Sequence, residues 1–322
     1  MWPRKELPSA VLLTGALVTG ALGEERMTNP RLSVIVVCIN NDRVLEQCLA
    51  ALVPQMASQD VEVLAIGHHD DGPNGRAVRL RYPAVVWVSA PNDFTVPRMR
   101  SSAMNQSHGE IVALLEDDCV VASNWCKEVV RAHQASFMAI GGPVEPGGTY
   151  RPWDWAIYFC EYGRFMAPFS GVVSALSGNN VSYKRAVLTD VQDDRGFYEV
   201  FFHWRLQQRG HALYAQPNLA VRNVNHWSLA HLTAIPFHHG RAFAGLRAAG
   251  LPRWRRFLYA ALSGGLPVVK VARVAQEVFR RRRNGRNFLR SLHWTVLFML
   301  SWSLGEFSGY LAGAGGSPNR WR

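Results

Sequence analysis

Residues 111–118 read Ile-Val-Ala-Leu-Leu-Glu-Asp-Asp, five apolar residues running straight into three carboxylates. The apolar part reads as a strand buried on both faces. Three acids in a row at the end of such a strand are costly unless a cation sits there. Strand alternation puts Glu116 and Asp118 on one side. An acid pair so placed suits a divalent metal with oxygen ligands that bridges phosphates. A solvated acidic turn is the plainer alternative.

Outward toward the N-terminus, strands and helices alternate. Residues 96–107 read as a helix ended by Gly109, 85–88 as a short strand, and 68–75 as a polar loop containing glycine. Residues 61–66 (VEVLAI) read as another strand. Val44, Leu45, Cys48, Leu49 and Leu52 are spaced three and four apart, as on one face of a helix. Residues 32–39 (LSVIVVCI) form the first strand. This order implies βαβ units and a mostly parallel sheet. Ligands bind beyond the carboxyl ends of such strands, where the acids lie.

Toward the C-terminus the pattern loosens. Turns fall at 141–143 and 146–148. Trp153, Trp155, Tyr158, Phe159, Tyr162 and Phe165 form an aromatic cluster that reads mainly as core. Residues 197–208 read as a helix stopped by Gly210.

Five quoted segments give the chain a family resemblance. The run 31–55 (RLSVIVVCINNDRVLEQCLAALVPQ) looks like the opening of family 2 glycosyltransferases of the GT-A fold. The stretch 100–112 (RSSAMNQSHGEIV) resembles their arginine-helix-Gly-Glu segment. Glu116-Asp117-Asp118 sits where these enzymes carry a D-x-D-like metal motif. Residues 177–185 (SGNNVSYKR) resemble their loop into the acceptor half. Tyr198-Glu199, with Arg205-Leu206 and Gly210, is similar to their E-D…R-L…G segment. The resemblance covers about 31–226.

It implies an α/β GT-A fold, a nucleotide-sugar donor, a divalent metal (Mg²⁺ or Mn²⁺) and inverting transfer. By this resemblance Glu199 is the general base, a role commonly worth ~10²–10⁴-fold. Glu116 and Asp118 hold metal, and Asn40, Asp70, Asp71, Arg100 and Asp117 serve the donor, Arg100 through a bidentate phosphate contact. Asn179, Asn180, Trp204 and His226 fall on the acceptor side. Three positions depart from the family pattern. Gly67 stands where an aspartate usually follows the second strand, Tyr198 replaces one carboxylate of an acid pair, and Glu116 replaces an aspartate.

The chain has 322 residues, 48% of them hydrophobic, enough for a sizeable core and against general disorder. Its net charge of +11 suits anionic partners, and much of the excess lies after Arg253. Five cysteines without C-x-x-C spacing read as free thiols in a reducing compartment. Residues 1–30 read as an extension, either signal-like or the product of a start at Met27 in place of Met1. Residues 31–230 read as the catalytic domain and 231–322 as a helical, basic, membrane-associating tail.

In that tail, 257–269, broken by Gly264, Gly265 and Pro267, and 292–304 are apolar runs of about 13 residues, short of the ~20 that span a bilayer. Arginines flank both, so interfacial helices fit better than spans. The run 280–283 (RRRR) then suits lipid headgroups, and nucleic acid is not expected, for want of a recognised module. Adjacent His238 and His239 point in different directions, unlike a metal pair. The expected partners are a nucleotide-sugar donor, a lipid-linked or polysaccharide acceptor and a membrane surface, at the cytoplasmic face of the inner membrane. The alternatives are a non-catalytic GT-A-like assembly subunit, a basic membrane-surface or nucleic-acid-binding protein, and a nucleotidyltransferase on a related sheet.

Overall fold

The computed structural model describes residues 29–57, 60–68, 73–148, 150–188, 196–225 and 227–320. The expected first half is present. Strand β1 (Leu32–Cys38) leads to helix α1 (Asp42–Leu52), β2 (Val61–Gly67), α2 (Pro73–Arg81), β3 (Val86–Ser89), α3 (Val96–Gln106) and β4 (Ile111–Glu116). Helix α1 forms because Asn41 caps it, its side chain accepting from the Arg43 and Val44 amides. The five apolar residues of its 3–4 pattern are all buried. Thr95 caps α3 by accepting from the Arg98 amide.

The second half adds β5 (Cys119–Val121), α4 (Trp125–Ala132), β6 (Ala139–Gly141), β7 (Val144–Pro146), α5 (Pro152–Glu161), β8 (Gly171–Val173), β9 (Asn180–Lys184), α6 (Glu199–Gln208), β10 (Leu213–Ala215) and β11 (Val221–Asn223). The main sheet has eight strands in the order β3-β2-β1-β4-β9-β6-β10-β8. β3, β2, β1 and β4 are parallel, and β9 runs antiparallel to both β4 and β6. A small sheet, β5-β11-β7, stands beside it. Strands β1 and β4 end together, with Val37 opposite Glu116. That places the acidic turn at the carboxyl edge of the parallel strands. Gly67 lies in register with Cys38, and a Cβ on it would stand 2.7 Å from the Cys38 carbonyl oxygen. A side chain at 67 would therefore require β1 and β2 to shift.

The C-terminal region forms α7 (Ala234–Ala248), α8 (Arg253–Ser263), α9 (Leu266–Arg280) and α10 (Gly285–Ala312). It departs from the expected tail only in the length of its last helix; the break at Gly264-Gly265 and the shortness of the apolar runs are as expected. The apolar run 292–304 is the middle of a 28-residue helix. The run 257–269 is broken at Gly264-Gly265 into α8 and α9, bent by 59°. Among the described residues no single helix is long and apolar enough to cross a membrane, and only that bent pair qualifies by length and composition.

Packing also continues across the expected boundary at 230. Tyr158 and Phe159 of α5 share a core with Val278 of α9 and Phe288, Phe298 and Met299 of α10. The aromatic cluster is therefore largely core, as its spacing suggested. Two of the four arginines in the run 280–283 form a clasp in place of the headgroup contact expected of them. Arg281 donates to the carbonyls of Arg164, Met166 and Pro168, and Arg283 to both carboxylate oxygens of Glu145.

Glu306, an isolated acid in an apolar run, is buried and satisfied. Trp302 Nε1 donates to it at 2.6 Å, and Arg247 and Lys270 pair with it at 3.2 and 3.5 Å. Glycines let α7 and α10 meet backbone to backbone: a Cβ on Gly305 would strike the Phe237 carbonyl, and one on Gly240 the Trp302 carbonyl.

Candidate active site

The acidic turn closes β4, and each of its three carboxylates has a different environment. Asp117 is buried and serves the chain itself. Its Oδ2 accepts from the Ile39 and Asn40 amides at 3.0 and 2.8 Å, and its Oδ1 from Asn40 Nδ2 at 2.6 Å. Asn225 Nδ2 donates to Asn40 Oδ1 at 2.9 Å. Asn40 and Asp117, expected on the donor, are therefore committed to each other and to the loop after β1. Burial pushes the Asp117 carboxyl up to about 7, against the pull of the Asn40 donors.

Glu116 faces Arg100. Arg100 is 5% exposed. Its Nη2 donates to Glu116 Oε1 at 2.9 Å and its Nη1 to Glu199 Oε2 at 2.6 Å. Both terminal nitrogens of the guanidinium are engaged by protein carboxylates, in place of the bidentate phosphate contact expected of them. Burial lowers the Arg100 pKa, and the two carboxylates more than restore it. Glu116 is raised by burial and by Glu199 despite Arg100. The Glu116 oxygen that was expected on a metal is thus taken by an arginine.

Asp118 differs from both. It is 3% exposed, and no arginine, lysine or histidine among the described residues pairs with it. The Cys119 thiol donates to it at 3.5 Å. Burial, then Glu116 and Asp117, push its pKa well up, with the Asn223 side chain and Cys119 pulling back. A buried hard-oxygen carboxylate beside two other acids, with no cation of its own, fits Mg²⁺ or Mn²⁺. No three His, Cys, Asp or Glu side chains converge there among the described residues. Such a metal would rest on one carboxylate plus phosphate oxygens and water, a usual arrangement for Mg²⁺.

Glu199 opens α6, where a helix N-terminus favours an acid. Its carboxylate lies over the loop before β9. A Cβ on Gly178 would stand 2.7 Å from its Cδ. Behind it Tyr183 is buried and hydrogen-bonded to His203 at 2.9 Å, and burial takes His203 down to about 4.

Asn180 is a structural wedge in place of the acceptor residue expected, its Nδ2 donating to the Pro143 and Leu219 carbonyls. Asn179 accepts from Ser177 at 2.6 Å and keeps a buried Nδ2 without a protein partner. Trp204 is 47% exposed and packs edge-on against Phe201. Asp70, Asp71 and His226 lie outside the described residues.

Three participants carried no sequence signal. Asn223 and Asn225 close the site from β11 and the chain just beyond it. Glu161, at the end of α5, is pushed up to about 8 by burial and then by Glu116. His238 Nδ1 lies 3.1 Å from the Ser317 hydroxyl. All five cysteines are free.

The comparisons with known proteins agree with this architecture. No curated protein matches the sequence. A mannosyltransferase from Pyrobaculum calidifontis, solved with GDP-Man and Mn²⁺, superposes with a TM-score of 0.54 at 15% identity, covering 89% of this chain and 88% of that one. A glucosyl-3-phosphoglycerate synthase from Mycobacterium tuberculosis, solved with phosphoglyceric acid, gives 0.46 at 18% identity over 64% of this chain and 75% of that one. The family model described as glycosyltransferase like family 2 matches residues 30–234. That match takes in the parallel sheet, the acidic turn and the Arg100–Glu199 pair, and the chain belongs to this glycosyltransferase family.

Proposed function

We propose that the protein is an inverting, metal-assisted glycosyltransferase that moves a sugar from a nucleotide diphosphate donor to a lipid-linked or polysaccharide acceptor. We place it at the cytoplasmic face of the inner membrane. The observation that carries the reading is the Arg100 bridge, which holds a carboxylate from α6 beside the acidic turn at the carboxyl edge of the sheet. A GT-A-fold mannosyltransferase solved with GDP-Man and Mn²⁺ is consistent with a donor and metal of that kind here.

Glu199 accepts the proton of the attacking hydroxyl, a role that needs an oriented carboxylate near its substrate. Arg100 fixes its orientation, with one oxygen tied down and the other free for the acceptor. Asp118 would hold the divalent cation, which when bound offsets charge on the leaving diphosphate. Asp117 and Asn40 keep the loop after β1 in place. Asn179 has a free buried amide to offer an acceptor hydroxyl. The apolar faces of α8 and α10 support membrane attachment and hence an acceptor anchored in lipid.

The test is nucleotide diphosphate release from a panel of nucleotide sugars, in detergent, with and without Mn²⁺ or Mg²⁺. We expect metal-dependent release from one donor, lost in Asp118→Ala and Glu199→Ala. Absence of both release and metal-dependent nucleotide binding would leave the non-catalytic assembly subunit as the better reading.

A further inference from the structure

The distribution of charge and exposed apolar surface singles out one face of the molecule. Residues 251–322 contain thirteen Lys and Arg and two Asp and Glu, while residues 1–250 contain 22 of each. The entire net charge of +11 is therefore carried by residues 251–322, which hold α8, α9 and α10. Its two acids, Glu277 and Glu306, are both paired internally, with Arg280 and Arg281 and with Arg247 and Lys270.

The large apolar residues that face solvent gather in the same region. On α8, Trp254, Phe257, Leu258 and Leu262 are exposed, at helical spacing. On α10, Leu289, Leu292, Val296, Leu300, Leu304, Phe307 and Leu311 recur every three or four residues along the whole helix, all exposed. The opposite side of α10 is occupied by α5 and α7. Helix α8 lies alongside its C-terminal half: Arg256 donates to the Tyr310 and Leu311 carbonyls, and Ser303 to the Ser263 carbonyl. The two stripes thus belong to neighbouring helices. Isolated exposed apolar residues are ordinary, but continuous stripes of this length mark an interaction surface.

We infer that α8 and α10 form a docking face that lies in the plane of an anionic lipid bilayer, with Arg253, Arg255, Arg286 and Arg290 on phospholipid headgroups and the apolar stripes in the acyl boundary. Charge chooses the occupant. Those four arginines are exposed, and no acid of the region is free to pair with them. A second copy of the same face would bring like charges together, whereas an anionic surface neutralises them. In-plane binding follows from the buried polar residues of α10. Ser291, Thr295, Ser303 and Glu306 point into the protein, so the helix has one apolar side only. Arg281 and Arg283 are excluded from the headgroup role, since they clasp the rest of the protein. This inference rests on the membrane reading above for the acceptor's location, but binding itself needs no turnover.

Deleting the helices would open the core they share with α5, so the test uses the full chain. Flotation is measured with phosphatidylglycerol-containing vesicles and with phosphatidylcholine alone, in low and high salt. Two variants are compared: Arg253→Gln/Arg255→Gln/Arg286→Gln/Arg290→Gln, and Phe257→Ser/Leu262→Ser/Leu289→Ser/Leu304→Ser. The wild type should float with anionic vesicles only, and less at high salt. The charge variant should partition about two to three orders of magnitude less. The apolar variant should lose binding in either salt, and alkaline carbonate should release the bound wild type.

Nucleotide diphosphate release in detergent should be unchanged in both variants, which separates failure of docking from failure of the enzyme reading. Three results would overturn the inference: equal binding to neutral vesicles, a carbonate-resistant protein, or a dimer in solution that the apolar variant makes monomeric while vesicle binding persists.

Discussion

The Glu199 carboxylate occupies the space that a side chain on Gly178 would fill: an added Cβ would stand 2.7 Å from its Cδ and 2.8 Å from Oε1. Arg100 closes the other side at 2.6 Å. The carboxylate is therefore held between a cation and a missing methyl, on elements far apart in the chain.

Gly178→Ala should displace Glu199 without unfolding the protein. The clash is with the far end of a side chain, which can move aside, so stability changes little. Catalysis is less forgiving, since misplacing a reacting group by about 1 Å costs ~10²-fold. We expect the turnover rate to fall by ~10–100-fold with the thermal midpoint within a few degrees of wild type. Steady-state rates and a melting curve decide it. Unchanged turnover would mean that this position of Glu199 is not the working one.

Arg100→Ala should do more damage. It leaves Glu116 and Glu199 buried without their shared cation, and breaking such a pair costs ~3–5 kcal/mol. Arg100→Lys keeps the charge but reaches one carboxylate at a time, so it should restore stability more than rate. Removing a cation favours the protonated form of a neighbouring carboxylate. Hence in Arg100→Gln the acidic limb of the pH–rate profile should move to higher pH. A rise in donor KM with no pH shift would instead identify Arg100 as a phosphate contact.

How much of this could be read in advance depends on how local the cause is. Strand β1 and helix α1 show in the sequence because their periodicities, apolar run and 3–4 spacing, are carried within a dozen residues. The acidic turn shows for the same reason. The partners of its carboxylates do not: Asn40 meets Asp117 across 77 positions, and Arg100 meets Glu199 across 99. No spacing rule separates a carboxylate that braces a loop from one left for a cation. Nor could the run 280–283 be divided into clasp and surface, since four identical side chains in a row leave in different directions. Gly67 and Gly178 looked like a departure and a loop residue, and only the fold shows the backbone and the carboxylate that a side chain there would meet.

Asp118→Asn should separate metal use from folding. In the folded protein the Asp118 carboxyl is pushed well above its ordinary value by burial and by Glu116 and Asp117. Relative to the unfolded chain it holds its proton longer, so the stability it allows at low pH is lost as pH rises. The asparagine has no charge to bury, so at pH 8 with a chelator the variant should melt higher than wild type. Adding Mn²⁺ with a nucleoside diphosphate should raise the wild-type midpoint and leave the variant where it is. A variant that responds to metal like the wild type would remove Asp118 from the metal site.

Glu161 makes a pH prediction away from that cation. Burial and Glu116 raise its carboxyl to about 8, above the value it has in an unfolded chain. Its contribution is complete at acid pH and is lost as pH climbs from the ordinary carboxylate range to about 8. Glu161→Gln cannot ionise and should escape that loss. The two proteins should melt alike near pH 4 and diverge by on the order of 1–3 kcal/mol by pH 9, with the variant the more stable. Parallel denaturant curves across that range check the sign. Divergence in the opposite direction would mean that Glu161 gains a cationic partner on ionising.

Glu306 tests whether the C-terminal helices are part of the fold or an appendage to it. Its carboxylate gathers Arg247 from α7, Lys270 from α9 and Trp302 from α10, and Lys270 also lies 4.1 Å above the Trp302 ring. Glu306→Ala strands two cations around an apolar helix crossing, which should cost ~3–5 kcal/mol. Glu306→Gln keeps the shape and can still accept from Trp302, so it should cost less than the alanine. Lys270 is already pulled down by burial, against the opposing charge of Glu306. In either variant it should lose its proton more readily, so the deficit should shrink as pH rises and Lys270 goes neutral. Because α9 and α10 share a core with α5, melting should remain a single transition that moves as a whole. Two separate transitions, with the catalytic half unaffected, would show that the helices fold on their own.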